Sequence, residues 1–120
     1  MLINDLYKYN IISKTDSEIR ASIILNKDNL IYKGHFPNIP ITPGVCQILI
    51  IKEILKKELK INLMIELLSE VKFLAMHNPL EKAQIESIIN YKYTDTGRIS
   101  VTGLLYSDEI KYLKFKGEFK

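Results

Sequence analysis

The chain has 120 residues, 47% hydrophobic and 26% charged, a balance that suits one globular domain over 1–120 and argues against global disorder. Its formal net charge of +3 is too mild for a nucleic-acid binder, although it favours an acidic partner. One cysteine, Cys46, excludes an intrachain disulfide, and two histidines without metal-ligand spacing lead us to expect no metal and no cofactor.

Residues 1–5 carry neither the basic nor the long apolar stretch of a secretory leader. The longest apolar run, Val45 to Ile51, is stopped by Lys52 and Glu53 before it reaches membrane-spanning length. A cytoplasmic protein without a membrane segment is the default expectation.

Two strand-like stretches come first. Residues 6–13 place Tyr7, Tyr9 and Ile11 on one parity. Residues 18–25 alternate more cleanly, with Ile19, Ala21, Ile23 and Leu25 against Glu18, Arg20 and Ser22. The turn-forming residues then concentrate between Lys33 and Gly44, which hold two of the five glycines and three of the four prolines.

A helix is predicted next, over about 43–60. Thr42 suits the N-cap and Pro43 the first helical position, where its missing N–H is not needed. Val45, Ile48, Leu49, Ile51, Leu55 and Leu59 form an apolar face that Ile50 and Ile54 widen, so the first half is expected to be buried nearly all round. Lys52, Lys56, Lys57 and Lys60 bring the second half to solvent and suit the negative end of the helix dipole.

Four strands are expected after it. Val71, Phe73 and Ala75 alternate in the first. Ile85, Ile89, Tyr91 and Tyr93 share a parity in the second, Ile99, Val101, Gly103 and Leu105 in the third, and Leu113, Phe115 and Phe119 in the last. The turns fall at Pro79 to Lys82, Thr94 to Gly97 and Tyr106 to Glu109. An α+β domain with an antiparallel sheet against one apolar helix buries both, and a second copy of the chain could cover what the sheet leaves open.

The segment from Gly34 through His35, Phe36, Pro37, Asn38, Ile39, Pro40, Ile41, Thr42, Pro43 and Gly44 to Val45 resembles the signature Gly-His-Phe-Pro-x-x-Pro-x-x-Pro-Gly-Val, with every fixed position matched. That is the signature of the (3R)-hydroxyacyl-acyl-carrier-protein dehydratases. Val71, Lys72 and Phe73, followed by Pro79 and Glu81, are similar to that family's Val-Lys-Phe strand and Pro-Gly-Asp turn, with Leu80 in place of the glycine. The resemblance implies a hotdog fold, a sheet wrapped around a central helix. It also implies dimers with the active site at the subunit interface, and an acyl carrier protein as partner.

Dehydration of a 3-hydroxyacyl thioester needs a base at C2, help for the departing C3 hydroxyl, and stabilisation of negative charge on the thioester oxygen. The resemblance gives the base to His35, whose imidazole titrates near working pH. It gives the oxyanion donor to the Gly44 backbone N–H, beside Val45, in the first helical turn where N–H groups lack partners and the dipole is positive. Phe36, Pro37 and Pro43 belong to the substrate loop. The family's carboxylate position holds Leu49, which cannot relay a proton.

Three substitutes are open. Glu53, at i+4 from Leu49, shares its face about 6 Å further along the helix. Its plainer reading is a solvated or interface charge paired with Lys56 or Lys57. Gln47 points about 200° around the helix from Leu49 and reads equally as a polar contact between subunits. A water held by His35 is the third. His77 reads as an exposed loop histidine and Cys46 as a small core residue. Beside the dehydratase stand two alternatives, an accessory subunit or acyl-carrier binder without activity, and an acyl thioesterase.

Overall fold

A computed structural model of the chain describes residues 2–34 and 38–120. His35, Phe36 and Pro37, which hold the expected base and part of the substrate loop, lie outside the described residues. The elements run β1 (Tyr7–Lys14), β2 (Glu18–Leu25), α1 (Ile31–Gly34), α2 (Gly44–Leu59), β3 (Ile65–Phe73), β4 (Gln84–Tyr93), β5 (Ile99–Ser107) and β6 (Ile110–Phe119). The strands form one antiparallel six-stranded sheet in the order β1-β2-β4-β5-β6-β3. This is the α+β hotdog arrangement: α2 leaves the second strand of the sheet, lies against its apolar face, and delivers the chain to the opposite edge.

The alternation in sequence becomes one inward face. Ile19, Ala21 and Ile23 of β2, Ile85 and Ile89 of β4, Val101 and Leu105 of β5, and Leu113, Phe115 and Phe119 of β6 are buried. Ile50, Ile51, Ile54 and Leu55 of α2 are fully enclosed and complete that core. Close approach of helix to sheet depends on Gly103. A β-carbon there would collide with the Phe115 ring and come within 2.9 Å of Ile51 Cδ1.

The central elements follow the sequence pattern closely, edge strand β1 lies within one residue of the expected 6–13, and edge strand β3 departs from it. β3 begins at Ile65 and ends at Phe73, so Ala75 falls outside the strand in which its alternation with Phe73 had placed it. β3 pairs only with β6, through two register shifts, and almost every residue of it is exposed. With no single buried face, its side-chain parity carries little information. The four-residue α1 was not expected. It is opened by Asn29, whose Oδ1 accepts from the Ile31 N–H at 2.9 Å.

α2 starts one residue later than expected. Pro43, with φ −58° and ψ 143°, occupies the N-cap position, and no side chain caps the helix. Thr42, the expected cap, has turned its hydroxyl elsewhere. The helix ends at Lys60 in the left-handed region (φ 56°), whose N–H bonds the Lys56 carbonyl. Val45 is the exception to a buried first half, at 63% exposed.

Candidate active site

The start of α2 is the chemically distinctive place among the described residues. Gly44 is its first residue, and the first-turn N–H groups have neither a side-chain cap nor an intrahelical acceptor. The positive end of the helix dipole therefore faces whatever approaches Gly44 and Val45. The absent side chain at Gly44 is filled from outside the helix. A β-carbon there would lie 2.5 Å from Cζ of Phe73, the last residue of β3.

Leu49 lies one turn beyond Val45 on the same helix and is half-buried. Gln47 is fully enclosed within its own protomer, which removes it from the subunit surface where one reading had put it. Its Nε2 donates to the Thr42 carbonyl at 3.1 Å, and its Oε1 has no partner among the described residues. Cys46 is buried as expected, and burial raises its thiol pKa, reinforced by the Glu53 charge, so it is a poor nucleophile.

Glu53 is neither solvated nor paired with a lysine. Its carboxylate accepts from the Leu2 N–H (2.9 and 3.0 Å), the Ile3 N–H (3.0 Å) and the Tyr7 hydroxyl (3.1 Å). Leu2 is thereby joined to a residue 51 positions away, a relation that local helix spacing cannot express. Nine residues separate Glu53 from Gly44, roughly 13 Å along the helix axis. Its carboxylate serves the N-terminal segment, well away from the helix start.

His77 is the largest departure from the sequence reading. It is 1% exposed, not a surface loop residue. Its Nδ1 meets Thr42 Oγ1 at 2.7 Å and its Nε2 meets the Lys82 carbonyl at 2.7 Å. Thr42 Oγ1 also contacts the Tyr32 hydroxyl at 2.8 Å, and the edge of the His77 ring stands against Tyr112. Thr42 and His77 are 35 residues apart, and nothing local in either segment announces the contact.

Two cavities of about 610 and 620 Å³ lie elsewhere. The first is bounded by Asn4, Asp5, Lys8 and Leu80 among others, the second by Lys14, Glu58, Tyr91 and Tyr93, and neither reaches Gly44 or Leu49. No described helix is long and apolar enough to cross a membrane.

Among solved structures, the chain is similar to the dehydratase heterocomplex ApeI:P from Xenorhabdus doucetiae, with 20% identity, a TM-score of 0.72, and 93% of this chain and 97% of that one covered. It is also similar to a mutant of thioesterase PA1618 from Pseudomonas aeruginosa, at 8% identity and TM-score 0.65, covering 92% of this chain and 78% of that one. A third, an uncharacterized protein from Erwinia carotovora subsp. atroseptica, shares 17% identity at TM-score 0.60, with 93% and 90% covered. At these identities the likeness concerns the fold. No curated protein matches by sequence. The family model for ApeI dehydratase matches residues 11–103, which span β1 to β5 and include the whole signature segment and α2, and the chain therefore belongs to the ApeI-like dehydratase family.

Proposed function

We propose that this protein is a (3R)-hydroxyacyl-acyl-carrier-protein dehydratase of lipid or polyene-type biosynthesis, cytoplasmic, with the 120 residues forming one domain of a homodimer. The start of α2 carries the reading. In a chain of a dehydratase family, an uncapped helix N-terminus at Gly44 leaves first-turn backbone N–H groups free to receive a thioester oxygen. In this reading the Gly44 N–H, with that of Val45 beside it, receives the thioester oxygen. His35 takes the C2 proton, electrons of the broken C2–H bond form the C2–C3 double bond, and the C3 hydroxyl leaves as water with one proton. Leu49 can supply no proton, and Gln47 has no acidic one to give. Glu53 is committed to the N-terminal segment, so the leaving hydroxyl takes its proton from His35 through a bound water. Phe36, Pro37 and Pro43 are assigned to the substrate loop in this reading.

The homodimer is supported by the exposed apolar edge next to the helix start. Leu67 and Phe73 of β3, with Leu74, Met76 and Val45, are each more than half exposed. Such an edge in a lone protomer invites pairing with another strand. A second copy placed there would also enclose the Gly44 region, which no cavity of about 600 Å³ in the protomer includes.

Leu49 favours a second reading, an accessory subunit that binds acyl carrier protein or supports an active partner, and the heterocomplex named for the Xenorhabdus doucetiae structure is in keeping with it. A thioesterase is the third, in keeping with the Pseudomonas aeruginosa neighbour. The deciding experiment follows double-bond formation and free-thiol release from a 3-hydroxyacyl-carrier substrate, in wild type and His35→Ala. Enoyl product that His35→Ala does not make supports the dehydratase. No product from either leaves the accessory reading, and free thiol without enoyl product indicates the thioesterase.

A further inference from the structure

The buried contact among Tyr32, Thr42 and His77 has a fixed direction. The Lys82 carbonyl can only accept, so His77 Nε2 must carry the proton. On the neutral imidazole Nδ1 is then a lone pair, and the Thr42 hydroxyl donates to it. Having spent its only proton, Thr42 Oγ1 must accept from Tyr32. The order is Tyr32 O–H to Thr42 O–H to His77 Nδ1, with His77 Nε2–H to Lys82 O.

Every polar atom of Thr42 is engaged. Its N–H donates to the His77 carbonyl at 2.9 Å, its carbonyl accepts from Gln47 Nε2, and its hydroxyl links Tyr32 to His77. Thr42 stands two residues before Gly44, and Tyr32, Thr42 and His77 are all at most 4% exposed. We propose that this one-way relay fixes the start of α2, and that Thr42 and His77 are positioning residues for the Gly44 amide. The catalytic half of the proposal rests on the dehydratase reading.

The relay requires neutral His77. A second proton would turn Nδ1 into a donor, the Thr42 hydroxyl could no longer donate to it, and the proton of either Thr42 or Tyr32 would lose its acceptor in a buried place. Among the described residues, no charged side chain is bonded to His77 to offset that change. The titratable groups among the described residues that face His77 are the Tyr112 ring of β6 and, through Thr42, Tyr32 of α1, near which Cys46 of α2 lies. Lys82 caps the imidazole with its carbonyl and sends its ammonium to Asp108 at 3.0 Å.

The experiment compares Thr42→Val, which keeps the shape without the hydroxyl, with Thr42→Ser, which restores it. For Thr42→Val we expect kcat to fall roughly ten-fold with little change in KM, and amide exchange at Gln47, whose N–H bonds the Pro43 carbonyl, to quicken by roughly the same factor. Thr42→Ser stays within about three-fold of wild type on both. Nitrogen NMR of His77 is expected to show the Nε2–H tautomer. An Nδ1–H tautomer, equal exchange in Thr42→Val and wild type, or Thr42→Ser as impaired as Thr42→Val overturns the relay. A kcat lost only in proportion to the unfolded fraction overturns the positioning role. A wild type without dehydration activity removes the proposed function and the catalytic half with it, while exchange and tautomer still decide on the relay.

Discussion

Glu53 Oε1 accepts a hydrogen bond from the Tyr7 hydroxyl at 3.1 Å, joining the middle of the central helix to the first residue of the first strand. Burial pushes the Tyr7 phenol pKa well above its ordinary range, and the Glu53 charge adds to it, so the phenol stays a donor throughout the working pH range. The same carboxylate takes the Leu2 and Ile3 amides, so α2 is the post to which the N-terminal segment is tied.

Glu53→Ala is therefore expected to destabilise the fold by about 2–4 kcal/mol, because hydrogen bonds to a charge are lost and a buried phenol and two amides are left without an acceptor. Urea unfolding measures the loss. Glu53→Gln keeps the shape but offers one acceptor oxygen in place of two, and falls between. A change below about 0.5 kcal/mol in Glu53→Ala would mean that water satisfies the three donors as well as the carboxylate does.

Gly44 and Phe73 are coupled through the ring tip that occupies the missing side chain's place. Gly44→Ala must displace that ring, while Phe73→Ala clears the space in advance. The double variant is expected to be less destabilised than the sum of the singles by about 1 kcal/mol, the size usual for residues in contact. Additivity in urea titrations would show that the half-exposed ring swings aside freely.

The free edge of β3 sets the expectation for assembly. Leu67→Lys places a charge at an exposed apolar position of the β3 edge, where a partner strand would have to bury it. Sedimentation of wild type should give twice the 13.9 kDa chain mass, and Leu67→Lys should give the single chain. An unchanged dimer in the variant would place the interface elsewhere.

Stability should also report on His77. Burial lowers its pKa below 6.5, and the backbone bond to Lys82 only partly opposes the shift. In the unfolded chain the imidazole takes up its proton near 6.5, before the folded protein does. This contribution is complete above that pH and is lost as pH falls from there through the lower folded value. Thermal melts between pH 7.5 and about 5 should drop more steeply for wild type than for His77→Asn, whose side chain does not titrate there. Parallel curves would show that His77 protonates without disturbing its surroundings.

What the sequence makes legible is what repeats with a local period. Residues 18–25 read as a strand and form β2 over the same span, because β2 lies inside the sheet with one face on the helix. The helix expected over 43–60 is α2 to within one residue at each end, and the signature places Gly44 at its start. Edge strand β3 is blurred because no single face of it is buried. Glu53, Thr42 and His77 are misread for another reason. Each has a partner 35 to 51 residues away, so a polar residue that spacing alone assigns to solvent or to a cap is instead satisfied across the core.

Leu49 allows a direct test of the family pattern. It follows Val45 by one helical turn, is half-buried, and stands where the signature family carries its carboxylate. A glutamate there would need only modest desolvation, so Leu49→Glu should fold, and its carboxyl should titrate in a range useful for general acid catalysis. If wild type turns over with His35 and water alone, the added acid should raise kcat by about 100-fold, the lower end of the range for a positioned proton donor. If wild type is inert and Leu49→Glu is active, the chain is an accessory subunit whose chemistry was lost at this one position. If neither form dehydrates a 3-hydroxyacyl-carrier substrate, the missing carboxylate is not what separates this protein from an active enzyme, and the accessory role would have to come from its binding surfaces.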